Sequence, residues 1–251
     1  MEAMTSLPLL LPDWDAPATV FACSTLRSGG CSTAPYDSLN LGAHVGDKAG
    51  HVAMNRRRLQ DAVSLPADPF WLNQVHGTSV VTAGEDNTLG CDADASVARA
   101  TGKVCVVMTA DCLPVLFCSQ YGDEVAAAHA GWRGLCDGVL ESTLSRMQTD
   151  NRNILAWLGP AIGPTAFEVG DEVQAAFVEK DAASKAAFTR NRPRHWLADL
   201  YQLARIRLHD AGVTRISGGE YCTYTDSARF FSYRRDGVTG RMASLIWISK
   251  K

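Results

Sequence analysis

The chain has 251 residues, 46% of them hydrophobic and 20% charged, with a formal net charge of -3. That is the make-up of a folded globular protein with a sizeable core, and it offers no electrostatic argument for a nucleic-acid or membrane partner. No uncharged apolar run approaches the ~20 residues of a membrane-spanning helix, and no basic stretch precedes a long apolar core at the N-terminus, so the protein is expected in the cytoplasm.

Taken in chain order, residues 19–24 form a short apolar strand, closed by the turn-rich RSGGCS. Residues 51–63 carry apolar side chains at helical spacing (Val52, Leu59, Val63) under a basic outer face and predict a helix. Residues 70–75 and 79–82 are strand candidates on either side of His76-Gly77. Residues 104–109 are a continuous apolar run rich in valine, as in a strand buried on both faces. Residues 124–128 predict another strand, 135–147 a helix, and 154–158 a strand stopped by Gly159-Pro160. Helices are expected over 171–179 and 197–211, the latter closed by Gly212. Residues 215–217 and 243–248 complete the strands. Intermixed strands and helices predict a mixed α/β (α+β) layered fold. With no linker or repeat, residues 1–251 read as one catalytic domain.

The eight cysteines contain no CxxC pair, and several lie in apolar runs (Cys105 in VCVVM, Cys118 after VLF). They read as reduced, mostly buried thiols. Three chemistry-bearing residues each follow a strand candidate: His76 in WLNQVHG, Cys112 in VVMTADC and His129 in VAAAHAGWRG. Imidazole and thiolate are good zinc ligands, and three protein ligands leave a fourth position for water or substrate. A water there becomes a usable nucleophile, and Asp111 beside Cys112 could orient a ligand or accept a proton. The spacings of 36 and 17 residues exclude a zinc finger. They equally suit two hydrogen-bonded structural histidines and a core cysteine.

Dense glycine turns add to the pattern: Ser28-Gly29-Gly30, His129-Ala130-Gly131-Trp132-Arg133-Gly134 and Gly159-Pro160-Ala161-Ile162-Gly163. With Arg27 and Arg133 beside them, and Gly134 ahead of a helix expected at Leu135, they could cradle an anion. They could also be plain tight turns with solvated arginines. Neither a P-loop nor a dinucleotide fingerprint is present.

The segments TLRSGGCS, SLNLGAHVGD, NQVHG, DADA, TADCLPV, AHAGWRG, GPAIGP, FEVG and CTY…FFSYRRDG…GR resemble the YfiH-like family from about residue 21 to 248. This family is also called laccase-domain or polyphenol-oxidase-like, and multifunctional purine nucleoside phosphorylase. The resemblance implies layered mixed β-sheets flanked by helices and a Zn2+ ion held by His76, Cys112 and His129. Cu2+ is an alternative occupant, since copper tops the divalent affinity order. It implies phosphorolysis of adenosine, guanosine, inosine and methylthioadenosine, together with adenosine deamination. Older assignments in the family are to copper laccases, and some members are linked to editing of peptidoglycan precursors, for which Cys112 would be the nucleophile. Six histidines are few for a multicopper oxidase.

The partners so implied are purine nucleosides and phosphate. Catalytic roles fall to Cys112, His76, His129 and Asp111. Substrate or phosphate binding is expected of Arg27, Asn40, Asn73, Gln74, Arg133, Glu168 and Arg234, guanidinium pairing with phosphate through a bidentate fork. Asp94 and Glu168 are further proton-shuttle candidates, and Trp132 and Phe167 candidate purine platforms. Residues 221–224 and 230–233 are candidate pocket walls. Each has an ordinary loop or packing alternative.

Overall fold

Residues 7–84 and 90–249 are described by a computed structural model, and the strongest sequence signals lie at its centre. The strands are β1 (Leu9–Leu10), β2 (Val20–Thr25), β3 (Val80–Thr82), β4 (Ala95–Ala98), β5 (Val104–Thr109), β6 (Leu113–Ser119) and β7 (Val125–Ala130). They continue with β8 (Ile154–Leu158), β9 (Glu168–Gly170), β10 (Phe188–Arg192), β11 (His195–Ala198), β12 (Arg215–Gly218) and β13 (Met242–Ile248). The helices are α1 (Ala49–Ala62), α2 (Trp132–Asp137), α3 (Val139–Arg146), α4 (Asp171–Lys180), α5 (Leu200–Asp210) and α6 (Tyr233–Asp236).

A six-stranded mixed sheet, β12-β8-β6-β7-β4-β3, packs on a four-stranded antiparallel sheet, β1-β2-β13-β5. A small sheet, β10-β11-β9, stands apart in the strand pairing. The period-2 alternation of a strand explains the apolar runs. In β5, Cys105 and Val107 pack into the layer between the two large sheets with Leu116, Cys118 and Trp157. Val104 and Val106 point the other way, onto Leu59 of α1 and Leu41. The outer face of the six-stranded sheet is covered by Leu140 and Leu144 of α3 and by Leu203 and Leu208 of α5. The mixed α/β layering expected from the sequence is thus realised with both sheet faces covered. No disulfide joins the cysteines among the described residues. Among the described residues no helix is long and apolar enough to cross a membrane.

Several boundaries differ from expectation for local reasons. Residues 70–75 make only isolated bridges (Phe70 to Cys105, Asn73 to Asp92) and are a loop. The helix expected over 135–147 begins at Trp132 and is cut in two by Gly138 at φ +103°, a conformation glycine adopts without strain. Leu197 belongs to β11. Asp199 caps the following helix by accepting from Gln202 N at 3.0 Å, so α5 starts at Leu200. α1 starts two residues early, at Ala49. The strands β4, β6 and β9–β11 carry no clear sequence signal, being short or, in β6, holding Pro114.

Candidate active site

Cys112 lies where the chain crosses from one large sheet to the other, between the end of β5 and the start of β6. The crossing is tight enough to hold Asp111 at φ +92°, which is strained for a residue with a side chain. The surroundings fix it there. The Asp111 carbonyl accepts from Ile162 N at 2.9 Å. Its carboxylate accepts from Thr223 Oγ1 at 2.6 Å and from Arg234 N at 2.7 Å. His129 sits within β7, opposite Pro114 in the ladder and so beside Cys112. His76 arrives from the loop ahead of β3, at φ +60°.

Asp94 joins these parts. It is fully buried, and its carboxylate accepts from Val75 N (3.2 Å), His76 N (3.0 Å) and Gly77 N (2.7 Å). It also bonds His129 Nδ1 at 2.8 Å. One carboxylate therefore shapes the His76 loop and fixes the His129 ring with Nε2 turned toward Cys112. A buried carboxylate oriented on a histidine in this way is the usual support of a metal ligand. The sequence suggests a proton shuttle at Asp94; the structure gives its carboxylate four hydrogen-bond partners on the His76 loop and His129.

The glycines of AHAGWRG acquire a steric reason. A Cβ on Gly131 would stand 2.5 Å from His76 Nδ1 and 3.2 Å from Cys112 Sγ, and one on Gly134 would stand 2.8 Å from Gly77 O. Gly134 lies inside α2 rather than ahead of a helix. These glycines let the His76 loop lie directly on α2.

One ligand atom from each of His76, Cys112 and His129 lies within 4.8 Å of the others. The two imidazoles meet edge-on at 4.8 Å. Tetrahedral zinc with bonds of ~2.0–2.3 Å sets its ligand atoms roughly 3.3–3.8 Å apart, so the donor set reaches that geometry by closing in by about 1 Å. Burial alone would push the Cys112 thiol up. The charge of His129 and hydrogen bonds from His129 and His76 override it and bring the thiol down to about 6. Burial opposes charge on His129, but the Cys112 thiolate and Asp94 outweigh it and raise the imidazole. The first shift favours a thiolate donor, and the second keeps on His129 a proton that a bound metal ion would displace.

The three residues floor a cavity of about 520 Å³. Its lining includes the Arg133, Arg234 and Arg241 guanidiniums and the Trp132, Phe167 and Tyr233 rings. Among the described residues Asp111 is its one carboxylate. Gln74 also lines it, with both ends of its amide paired to the Met108 backbone (Oε1 from Met108 N, 2.7 Å; Nε2 to Met108 O, 2.8 Å).

Four expected site residues are not brought into this lining. Arg27 stacks on Phe231 at 4.8 Å and bonds the carbonyls of Asp37 and Ser227, bordering a separate surface cleft. Asn73 pairs with Asp92 at 2.6 Å. Glu168 is ion-paired with Arg192, whose hydrogen bond draws its carboxyl down to about 2. Asn40 is fully buried behind Arg241. Tyr233 alone of the expected wall segments 221–224 and 230–233 borders the cavity together with Arg234, whereas Phe230 and Phe231 are core. His44 and Arg241 line the cavity without having been singled out in the sequence; Arg241 follows a glycine in a loop and gives no periodic signal.

A strand-end metal-ligand cluster beneath a cationic cavity defines an enzyme-type site rather than a closed structural one. Residues 21–249 match the family described as multi-copper polyphenol oxidoreductase laccase. The chain is 58% identical over 240 residues to the purine nucleoside phosphorylase YfiH of Escherichia coli strain K12, covering 96% of this chain and 98% of that protein. It is 55% identical to the purine nucleoside phosphorylase PA4543 of Pseudomonas aeruginosa, covering 95% and 98%. The crystal structure of Neisseria meningitidis protein NMB0706 superposes with a TM-score of 0.93 at 50% identity, covering 96% of this chain and 99% of that one. That of YlmD from Geobacillus stearothermophilus gives 0.84 at 30%, covering 97% and 100%. The chain belongs to this YfiH-like, laccase-domain family.

Proposed function

We propose that this protein is a zinc-dependent purine nucleoside phosphorylase that also deaminates adenosine. One observation carries the reading: a His-Cys-His donor set floors a cavity whose lining, among the described residues, holds three guanidiniums against a single carboxylate. The names of the similar proteins from E. coli and P. aeruginosa supply the reaction class. His76, Cys112 and His129 would hold the ion, which when bound supplies Lewis acidity and an acidified water at its open position.

The chain's own residues do the rest. Trp132 and Phe167 offer apolar faces to a purine, and the arginines offer paired donors to phosphate. Asp111, with each oxygen already accepting one hydrogen bond, retains lone pairs for a substrate proton or hydroxyl. Asp94 holds His129 and the His76 loop in register.

The donor set would also accept Cu2+. Among the described residues, however, this is the one cluster of metal-ligating side chains found, whereas multicopper oxidation requires several centres. A second reading has its own support. Cys112, His129 and Asp94 form a thiolate–imidazole–carboxylate relay, as a cysteine hydrolase acting on peptidoglycan precursors would need.

Chelator-treated and zinc-restored protein separates the readings. The nucleoside reading requires that base release stop on chelation and return with zinc. A hydrolase reading requires activity in metal-free protein and its loss on thiol alkylation.

A further inference from the structure

The motif SLNLGAH and the final Gly240-Arg241 pair lie far apart in sequence and take no part in holding the metal-ligand set. They meet at Arg241. The Asn40 side chain is fully buried, and its Oδ1 accepts from Arg241 N at 2.9 Å and from Gly42 N at 3.0 Å. Its Nδ2 donates to Asp47 Oδ2 at 3.0 Å. Gly42 leaves the lane for the arginine stem, since a Cβ there would come 2.8 Å from Arg241 Cγ. At the far end, Arg241 Nη1 donates to the carbonyls of Thr239 (3.0 Å) and Gly240 (3.1 Å). Asn40 thus anchors the Arg241 main chain while two carbonyls hold its guanidinium, all of them neutral groups.

Arg241 has no carboxylate partner among the described residues. The nearby acids are engaged elsewhere. Asp47 accepts from Asn40, Ser32 and Lys48 N, and Asp111 accepts from Thr223 and Arg234 N. A guanidinium has five N–H donors. The two on Nη1 serve the carbonyls, and those on Nε and Nη2 donate to no protein group among the described residues. Those two nitrogens form one edge of the fork, the edge that grips two oxygens of one anion. A half-buried cation without a counter-charge is costly, and an anion in the cavity would supply it. Arg133 and Arg234 differ. Both are exposed; Arg133 stacks on Trp132, and Arg234 stacks on Phe167 and bonds Glu168 O, whereas Arg241 is half-buried and lies 5.9 Å from the Tyr233 ring centre.

We infer that Arg241 is the seat of a tetrahedral oxyanion, inorganic phosphate, in the cavity, and that Asn40 is its positioning residue. Arg133 and Arg234 draw the anion in from the rim. Naming the anion as phosphate rests on the phosphorolytic reading above; the seat itself rests on the geometry of Arg241.

The test is calorimetric titration of zinc-loaded protein with inorganic phosphate, with zinc content measured in each variant. Arg241→Gln is expected to weaken binding by about tenfold or more, the loss of a bidentate charge-assisted pair. Arg241→Lys, which keeps the charge and loses the fork, is expected to fall between. Asn40→Ala should raise the KM for phosphate more than that for nucleoside, which a general loss of fold would not do. Wild-type phosphate affinity in zinc-replete Arg241→Gln or Arg241→Lys overturns the inference, as does absence of phosphate binding in wild type. Wild type that binds phosphate through Arg241 yet releases no base from any nucleoside overturns the phosphorylase reading and leaves the seat standing.

Discussion

Asp94 and His129 are joined twice, backbone to backbone at 2.7 Å and carboxylate to Nδ1 at 2.8 Å, with both residues buried. The pairing follows from the β4–β7 ladder, which begins one residue beyond each, at Ala95 and Ala128. A secondary-structure register thus becomes an oriented imidazole.

Removing the carboxylate should therefore cost metal affinity before anything else. In Asp94→Asn one oxygen becomes an amide facing N–H groups, and His129 loses its charged support. Zinc affinity, read by competition with a chromophoric chelator, should fall ~10–100-fold. Unchanged affinity would show that the His76 loop and the His129 ring hold their places without it.

Gly131→Ala separates site from fold. The added methyl would stand 2.5 Å from His76 Nδ1, while the strand and helix on either side keep their packing. The expected outcome is a folded protein, by near-ultraviolet circular dichroism, that retains much less than one zinc per chain. A variant with full zinc content would mean that the three ligands do not converge as described.

Thiol reactivity has a definite pH dependence in metal-free protein. The Cys112 thiol is held at about 6 against the pull of burial, so it is thiolate above that pH, whereas an ordinary cysteine ionises near ~8.5. Burial pushes Cys23, Cys105 and Cys118 up to about 12. Iodoacetamide at pH 7 followed by peptide mass spectrometry should label Cys112 well ahead of those three. In His129→Ala the labelling profile should move to higher pH, because the stabilising charge is gone. Equal labelling of Cys23 and Cys112 would refute the assignment.

The legible parts of the sequence are those whose cause is local. Val104–Thr109 reads as a doubly buried strand because both of its faces meet apolar layers. His76, Cys112 and His129 are visible as a set because their residue types suit one chemistry. What stays hidden depends on contacts across the chain. Asp94 looks like any loop aspartate until its four hydrogen bonds are seen. Arg241 meets Asn40 across 201 positions. Arg27 and Glu168 sit in motifs as suggestive as that of Arg133, yet their partners are Asp37 and Arg192. The strand β6 escapes notice because Pro114 lies in it, a residue that ordinarily argues against a central strand.

The most direct test of the central claim is incubation of zinc-loaded protein with adenosine, with and without phosphate, separating adenine, inosine and hypoxanthine by chromatography. Wild type and Cys112→Ala run side by side. The account predicts adenine only when phosphate is present, inosine without it, and neither from the variant. No purine turnover by zinc-replete wild type, or undiminished turnover by pure Cys112→Ala, would contradict it.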